Sequence, residues 1–266
     1  MTDVGDRAGG EYILTRRDGH ILILTLNRVE KRNAMSDGVV RELEGIFSNL
    51  SGDVAAVVIE ANGAHFSAGL DLSELTKRDM PQSMMHSRGW HAAFEKIQFG
   101  RVPVIAALKG AVIGGGLELA AACHIRIAEP TAYYALPEGQ RGIFVGGGGS
   151  VRLPRLLGVS RMMDMMMTGR TYSAPEGLAI GISQYLVGEG EATSKALEIA
   201  KKVSGNAMLT NYALIQVLPR IAEADPATGY VLESLMAAAS STAPEAQKRL
   251  DDFLNKRAGK ITPNSG

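Results

Sequence analysis

The 266-residue sequence lacks the features that mark several large protein classes. It has a single cysteine, Cys123, which excludes an internal disulfide and favours a reducing compartment. Lys plus Arg and Asp plus Glu both number 28, and this balance argues against nucleic-acid and membrane-surface partners. Residues 1–10 show no apolar signal segment. We therefore expect a globular protein in the cytoplasm.

Long uncharged apolar runs are also missing. The most apolar stretch, 102–128, is interrupted by Lys109, Glu118 and Arg126. A membrane-spanning helix needs roughly 18–20 consecutive apolar residues. The sequence therefore predicts no contact with a membrane.

Several well-known site motifs are absent. The sequence has no G-x-x-x-x-G-K-[ST] phosphate loop, no G-x-G-x-x-G spacing after a first strand and no G-x-S-x-G turn. The five histidines lack metal-ligand spacing, and His86 and His91 are one residue too far apart for H-E-x-x-H. We expect no metal and no redox cofactor.

What the sequence does contain is a repeated order of strand, glycine-rich loop and helix. Apolar runs near 54–60 and 102–108 predict strands that are buried on both faces, and Asp18-Gly19 predicts a hairpin before them. Helices are predicted from Ser36, near Ser73 and over 87–98, and the chain becomes mainly helical after residue 192, with one helix over about 207–218. This alternation is typical of an α/β fold.

Two further segments allow more than one interpretation. Residues 146–150 (GGGGS) resemble a flexible linker, but close apolar neighbours favour a packed turn that enters a short helix. Residues 161–168 (RMMDMMMT) predict a methionine-rich helix. Its methionines fit either an adaptable acyl-binding wall or ordinary core packing, and core packing is favoured for most of them.

Two glycine turns, 67–71 (SAGLD) and 114–116 (GGG), each lie between a predicted strand and a helix. Backbone N–H groups from two such turns can converge into an oxyanion hole, which stabilises charge that develops on a carbonyl oxygen. The turn at 114–116 also begins a helix, whose first N–H groups have no internal partner. Two ordinary tight turns remain the alternative.

Glu118 and Glu138 are the candidate acid–base residues. A pair of carboxylates can act as base and acid when both reach one substrate. Apolar neighbours would raise the pKa of Glu118, whereas the helix N-terminus would lower it. A helix-dipole partner at 118 and a solvated loop acid at 138 remain the alternatives.

Five segments together resemble the crotonase, or enoyl-CoA hydratase/isomerase, superfamily, over about residues 25–187. They are NRVEKRNAM (27–35), HFSAGLDL (65–72), GAVIGGGLELAAACHIRIA (110–128), LPEGQRGIFVGGGGSVRLPRLLG (136–158) and SRMMDMMMTGR with the following Ala and Gly (160–181). The resemblance implies a spiral of ββα units with an acyl-CoA site over 1–200. It also implies a C-terminal helical region over 201–266 that forms a homotrimer or a dimer of trimers.

The resemblance also implies a site and a reaction of fatty-acid metabolism. The backbone N–H groups of Leu70 and Gly115 would hold the thioester oxygen. Glu118 would activate water for attack at C3 of a 2-enoyl-CoA, and Glu138 would orient that water and deliver a proton to C2. Coenzyme A would enter only as part of the substrate, with no separate cofactor.

For coenzyme A itself, the resemblance implies contacts with loop residues and with residues of the last helix. The implied residues are Arg32, Ala34, Ala68, Asp71, Phe253 and Lys256.

The sequence departs from the usual hydratase pattern at two places. His124 stands where hydratases usually have Asp, and 139–147 (GQRGIFVGG) replaces L-G-x-x-P-G-x-G-G, with added bulk at Phe144 and Val145. An aromatic or branched acyl group therefore remains open, as do isomerase, hydratase–lyase and thioester hydrolase outcomes. A non-catalytic paralogue that binds acyl-CoA or RNA is the alternative from another class.

Overall fold

A computed structural model describes residues 8–74 and 77–255. The chain divides into two compact units, 1–204 and 205–266. The strands of the described residues are β1 (Ala8–Gly9), β2 (Ile13–Asp18), β3 (Ile21–Leu26), β4 (Ala56–Ala61), β5 (Val104–Leu108), β6 (Ala111–Ile113), β7 (Ile125–Ala128), β8 (Tyr133–Ala135), β9 (Tyr172–Ser173) and β10 (Tyr185–Leu186).

The helices of the first unit are α1 (Asp37–Ser48), α2 (Met80–Gln98), α3 (Gly115–Ala122), α4 (Gly149–Leu157), α5 (Val159–Thr168), α6 (Ala174–Ala179) and α7 (Ala192–Ser204). Those of the second unit are α8 (Met208–Tyr212), α9 (Leu218–Glu223), α10 (Pro226–Thr242) and α11 (Pro244–Leu254), with a π-helical turn at Ala213–Val217 between α8 and α9. The expected division at 200/201 falls inside α7, and the two units separate at the end of that helix.

The first unit is built on two sheets. Within the described residues, the larger sheet has the strand order β1-β2-β3-β4-β5-β7-β10; its first three strands are antiparallel, and every later pair is parallel. The smaller sheet has the order β6-β8-β9. Because β5 and β7 belong to the larger sheet while β6 and β8 belong to the smaller, the chain alternates between the sheets. The predicted α/β fold of ββα units, followed by C-terminal helices, is confirmed.

The central strands are apolar throughout because both faces of the larger sheet are covered. Leu22, Leu24 and Leu26 of β3 enter the main core, whereas the alternate residues Ile21 and Ile23 enter a second core on the opposite face. Helix α7 closes that second core with small and branched residues, Ala192, Ala196, Ile199 and Ala200. A strand that packs on both faces needs no polar side.

Three predicted helices have different ends in the structure. Helix α2 begins at Met80 rather than near 87, after a capping box formed by Asp79 and Gln82. The helix predicted near Ser73 is only a 3-10 turn, Leu72–Glu74. The helix predicted over 207–218 is interrupted by the π-helical turn, and Pro219 then occupies the first turn of α9.

Candidate active site

Two glycine turns meet at the N-terminus of α3. Gly69 has φ +94°, and a Cβ there would lie 3.0 Å from the carbonyl oxygen of Ile113. Gly114 has φ +49°, and a Cβ there would lie 2.4 Å from Oε1 of Glu138 and 3.9 Å from Cα of Gly69. Both positions therefore require glycine, for left-handed backbone and for close approach. The structure therefore places the two turns side by side, and an oxyanion hole formed by their N–H groups stays a prediction.

Leu70 and Gly115 each present an N–H group beside this junction. Gly115 is the first residue of α3, so its N–H has no acceptor within the helix. Neither N–H donates a hydrogen bond to any described residue. Both residues line one cavity of about 560 Å³, in which Glu118 and Glu138 also lie. The structure thus brings together the two proposed donors and the two candidate acids.

The cavity walls come from several segments of the first unit. They are residues 68–70, 72, 77–78, 83, 86–87, 90, 113–115, 118, 137–138, 141 and 143–147. The rim includes Phe144 and Leu72, which are 68% and 49% exposed. An apolar rim around a few polar groups is typical of a small-molecule site.

Glu118 is held by the glycine run that follows the cavity wall. Its side chain is buried, and Oε1 accepts hydrogen bonds from the N–H groups of Gly147 and Gly149, both at 2.8 Å. Burial raises the pKa of Glu118, while these two N–H groups and the charge of Arg152 lower it in part. Oε2 has no hydrogen-bond partner in the described chain, so this oxygen remains able to accept a proton.

The expected packed turn at 146–150 is confirmed, and its role explains the glycines. A Cβ at Gly149 would lie 2.9 Å from Oε1 of Glu118, and one at Gly147 would lie 3.0 Å from Oε2. Arg152 fixes the same loop, because its Nη1 donates to the carbonyl oxygen of Gly147 at 2.8 Å. The sequence alone did not link this loop to Glu118; the glycine run before a helix was the available signal.

Glu138 is also buried but has a different hydrogen-bonding environment. Its Oε2 is buried and accepts no hydrogen bond from any described group. Burial, together with the negative charge of Glu118, raises the pKa of Glu138 to about 7, although its own backbone N–H and Arg141 act to lower it. Glu138 can therefore carry a proton near neutral pH, which a solvated loop acid would not.

The loop residues expected to contact coenzyme A are only partly at the cavity. Ala68 lines it, and the N–H of Ala68 donates to the carbonyl oxygen of Arg32 at 3.0 Å. Arg32 is exposed, and Ala34 is buried with its carbonyl oxygen accepting from Arg28 at 2.8 Å. The contacts of these residues with coenzyme A stay predictions.

Asp71, Phe253 and Lys256 were also expected to contact coenzyme A. Asp71 is buried and is engaged internally by Ser73 Oγ at 2.6 Å and by Arg28 Nη2 at 3.0 Å. These hydrogen bonds, Ser73 first, lower the pKa of Asp71 despite its burial. Phe253 is exposed on α11 of the second unit, and Lys256 lies outside the described residues.

His124, which replaces the usual Asp, has a structural environment here. Its Nδ1 accepts from the N–H of Val104 at 2.9 Å, and its Nε2 lies 3.0 Å from the carbonyl oxygen of Gln98. Burial lowers the pKa of His124 to about 4, so the ring is neutral and Nε2 carries the proton. His124 does not line the cavity, and it joins the start of β5 to the end of α2.

The methionine-rich helix belongs to the core. Met162, Met165 and Met166 of α5 are buried, whereas Met163 and Met167 are exposed. None of the five lines the cavity. Core packing rather than an acyl-binding wall therefore accounts for the buried ones.

Helix α2 contributes a polar group that sequence reasoning missed. Nε2 of His86 lies 2.6 Å from Oδ1 of Asp37, and Nε1 of Trp90 donates to the same oxygen at 3.1 Å. His86 and Trp90 both line the cavity, as the i, i+4 spacing on one helix face allows. The histidine–carboxylate pairing could not be inferred because Asp37 lies 49 residues away in sequence.

Metal and membrane features are absent from the described residues. No group of three or more His, Cys, Asp or Glu side chains could hold a metal ion there. None of the helices in the same residues has the length and apolar character to cross a membrane.

Comparison with known proteins identifies the family of the chain. The family described as enoyl-CoA hydratase/isomerase matches residues 16–262. The chain belongs to this family. A probable enoyl-CoA hydratase from Mycobacterium bovis is 30% identical over 254 residues, covering 95% of this chain and 98% of the relative. A short-chain-enoyl-CoA hydratase from Clostridium acetobutylicum is 29% identical over 248 residues, covering 92% and 95%.

Solved structures of the enoyl-CoA hydratase/isomerase family agree with the fold. A crystal structure of a candidate enoyl-CoA hydratase from Rhodopseudomonas palustris has a TM-score of 0.92 and 56% identity, and covers 97% of this chain and 100% of that one. An enoyl-CoA hydratase from Bacillus anthracis has a TM-score of 0.86 and 29% identity, with coverage of 94% and 99%. The resemblance inferred from the five sequence segments is confirmed.

Proposed function

We propose that this protein hydrates a 2-enoyl-CoA thioester to a 3-hydroxyacyl-CoA, as a hydro-lyase. One observation carries the proposal: Glu118 and Glu138 line the same cavity in environments that separate their roles. Glu118 is anchored through one oxygen by two N–H donors, whereas Glu138 has an unpartnered buried oxygen and a pKa of about 7.

Hydration follows from these groups in two balanced steps. Glu118 Oε2 accepts a proton from water as the water oxygen bonds to C3, and the C2–C3 π electrons move onto the thioester oxygen. Glu138 then delivers a proton to C2, and the thioester carbonyl re-forms. The proton taken up by Glu118 must pass to Glu138, directly or through solvent, to restore the starting state for the next turnover. Overall one water molecule is added and no redox or metal cofactor takes part; coenzyme A enters only as part of the substrate.

The intermediate enolate needs stabilisation, which the free N–H groups of Leu70 and Gly115 can supply. A preorganised donor of this kind is worth on the order of 3 kcal/mol in the transition state. Trp90 packs against Gly115 at this junction, and an apolar neighbour that displaces water strengthens such hydrogen bonds.

The test is steady-state hydration of a panel of 2-enoyl-CoAs, followed by loss of absorbance of the conjugated thioester. We expect turnover, and we expect Glu118→Gln and Glu138→Gln each to lower kcat by about 10²–10⁴-fold. Full activity of either variant, or no turnover across a broad panel, would overturn the proposal.

Other outcomes on the same scaffold differ in product mass. Isomerisation conserves mass, hydrolysis frees thiol, and hydratase–lyase cleavage yields an aldehyde with a shorter thioester. The presence of both acids favours hydration over isomerisation, which needs a single proton shuttle. A non-catalytic paralogue would bind acyl-CoA without turnover, or bind RNA with salt-sensitive affinity.

We further propose that the chain assembles as a homotrimer or a dimer of trimers. Support comes from large apolar side chains exposed on the second unit: Met208, Leu214, Leu218, Tyr230, Val231, Leu235 and Leu254. Large apolar side chains left exposed to solvent can mark an interaction surface. Mass measurement by light scattering tests this, and a monomer at micromolar concentration would contradict it.

A further inference from the structure

One wall of the cavity is polar and cationic, and hydration chemistry does not use it. Helix α2 turns Ser83, His86 and Trp90 toward the cavity at i, i+3 and i+7. Trp90 lies against the proposed oxyanion hole, because a Cβ at Gly115 would be 3.1 Å from Trp90 Cζ3. His86 lies one helical turn before Trp90, and the centroids of the two rings are 5.9 Å apart.

His86 is oriented rather than free to rotate. Its Nε2 lies 2.6 Å from Oδ1 of Asp37, and Arg78 Nη2 lies 3.3 Å from Oδ2 of the same carboxylate. Although burial raises the pKa of Asp37, the hydrogen bonds of Trp90 and His86 and the charge of Arg78 lower it overall. The ionised carboxylate accepts only, so Nε2 carries a proton. Nδ1 has no hydrogen-bond partner among the described residues and is an acceptor in this tautomer, so His86 borders the cationic wall without donating to an anion.

Two further cations line the same cavity, Lys77 just before α2 and Arg141 just after Glu138. Neither forms an ion pair with a described carboxylate, whereas Arg78 is neutralised by Asp37. Both side chains are exposed, so their charges are available to a ligand. Apart from Glu118 and Glu138, the lining residues include no acid to balance them.

We infer that Lys77 and Arg141 form a subsite for an anionic group on the acyl chain, so that the substrate is the coenzyme A monothioester of a short unsaturated dicarboxylic acid. This inference rests on the proposed function and specifies its substrate. The carboxylate would form charge-assisted hydrogen bonds, which are stronger and more directional than neutral ones. The shared chemistry is an anion, and the phosphates of coenzyme A are its other possible source.

The first experiment compares hex-2-enedioyl-CoA with hex-2-enoyl-CoA, which differ only in the terminal carboxylate. We expect a kcat/KM at least about tenfold higher for the dicarboxylic substrate. In the Lys77→Gln/Arg141→Gln double variant this ratio should fall toward one. Arg88→Gln is the matched control, because Arg88 is an exposed cation on α2 that does not line the cavity.

Loss of Arg141 also removes a charge that lowers the pKa of Glu138, but that effect acts on both substrates equally. The ratio therefore isolates the subsite. A ratio of one in the wild-type protein, with hydration intact, would overturn the inference and leave the proposed function standing.

The second experiment uses calorimetry with the unreactive adipoyl-CoA, hexanoyl-CoA and coenzyme A alone. Tighter binding of adipoyl-CoA, lost in the double variant, supports the subsite even where no hydration is measured. If the double variant weakens all three ligands equally, the cations bind the coenzyme A phosphates and the inference is wrong.

Discussion

The substitution Gly149→Ala tests most directly whether the loop at 147–149 positions the side chain of Glu118. Gly149 begins α4 with a backbone conformation that alanine can adopt, so the substitution acts through its Cβ alone. That Cβ would lie 2.9 Å from both Cγ and Oε1 of Glu118, and the buried carboxyl group must move. Movement breaks the hydrogen bonds from Gly147 and Gly149, each of which is worth about 1.5–3 kcal/mol for a charged acceptor.

The expected magnitude follows from two separate effects. Overpacking of a tight site costs about 1–3 kcal/mol, and each kcal/mol lowers Tm by about 2–4 °C in a domain of this size. A displacement of about 1 Å at a catalytic group can cost about 10²-fold in rate. We therefore expect Gly149→Ala to lose far more kcat than the modest fall in Tm would suggest.

The assays are thermal unfolding and steady-state hydration, with Gly45→Ala as control. Gly45 lies exposed in α1, where an added Cβ meets nothing within 4 Å, so alanine should raise stability by up to about 1 kcal/mol and leave kcat unchanged. Wild-type kcat and Tm in Gly149→Ala would refute the assignment of this loop as the support of Glu118.

Three further predictions follow from the same structure. The pKa of Glu138 rises from 4.5 to about 7 on folding, so the wild-type protein loses stability as pH rises through that window. The Tm of Glu138→Gln should therefore rise relative to wild type from pH 4.5 to 7 and keep that advantage at higher pH. A Tm difference that does not change with pH would contradict the shift. His124→Asp should lower stability by about 1–3 kcal/mol in denaturant titrations, because a carboxylate would face the Gln98 carbonyl oxygen, while kcat per folded molecule stays the same. Met165→Ala should cost about 2–5 kcal/mol through an internal cavity, with KM unchanged; a raised KM would place α5 at the acyl chain instead.

Much of the fold could be predicted because its signals are local. The hairpin at Asp18-Gly19, the cap at Ser36 and the apolar strands each depend on a few neighbouring residues. The start of α2 was missed although Asp79 and Gln82 carry a capping-box pattern, because the segment before Ser87 is too polar to show helical periodicity. The arrangement in ββα units came from family resemblance rather than from any residue pattern, and the division of the strands between two sheets was not predicted.

The site likewise has one part that could be predicted from the sequence and one that could not. The turn at 114–116 with Glu118 is contiguous in sequence, so its chemistry could be proposed from the residues themselves. The support of Glu118 by Gly147 and Gly149, and of His86 by Asp37, spans 29 to 49 residues and depends on tertiary packing. No periodicity or spacing rule reaches that far in a single sequence.

The segment 143–149 joins two tasks in seven consecutive residues. Its first part, Ile143 to Val145, lines the cavity, and Gly147 and Gly149 in its last part donate hydrogen bonds to the carboxylate of Glu118. A lengthened or reshaped loop that admits a different substrate must therefore leave its final turn in register with α3. Redesign of substrate selectivity in this scaffold is safest before Gly146, because a backbone shift after Gly146 would displace Glu118 as well as the cavity wall.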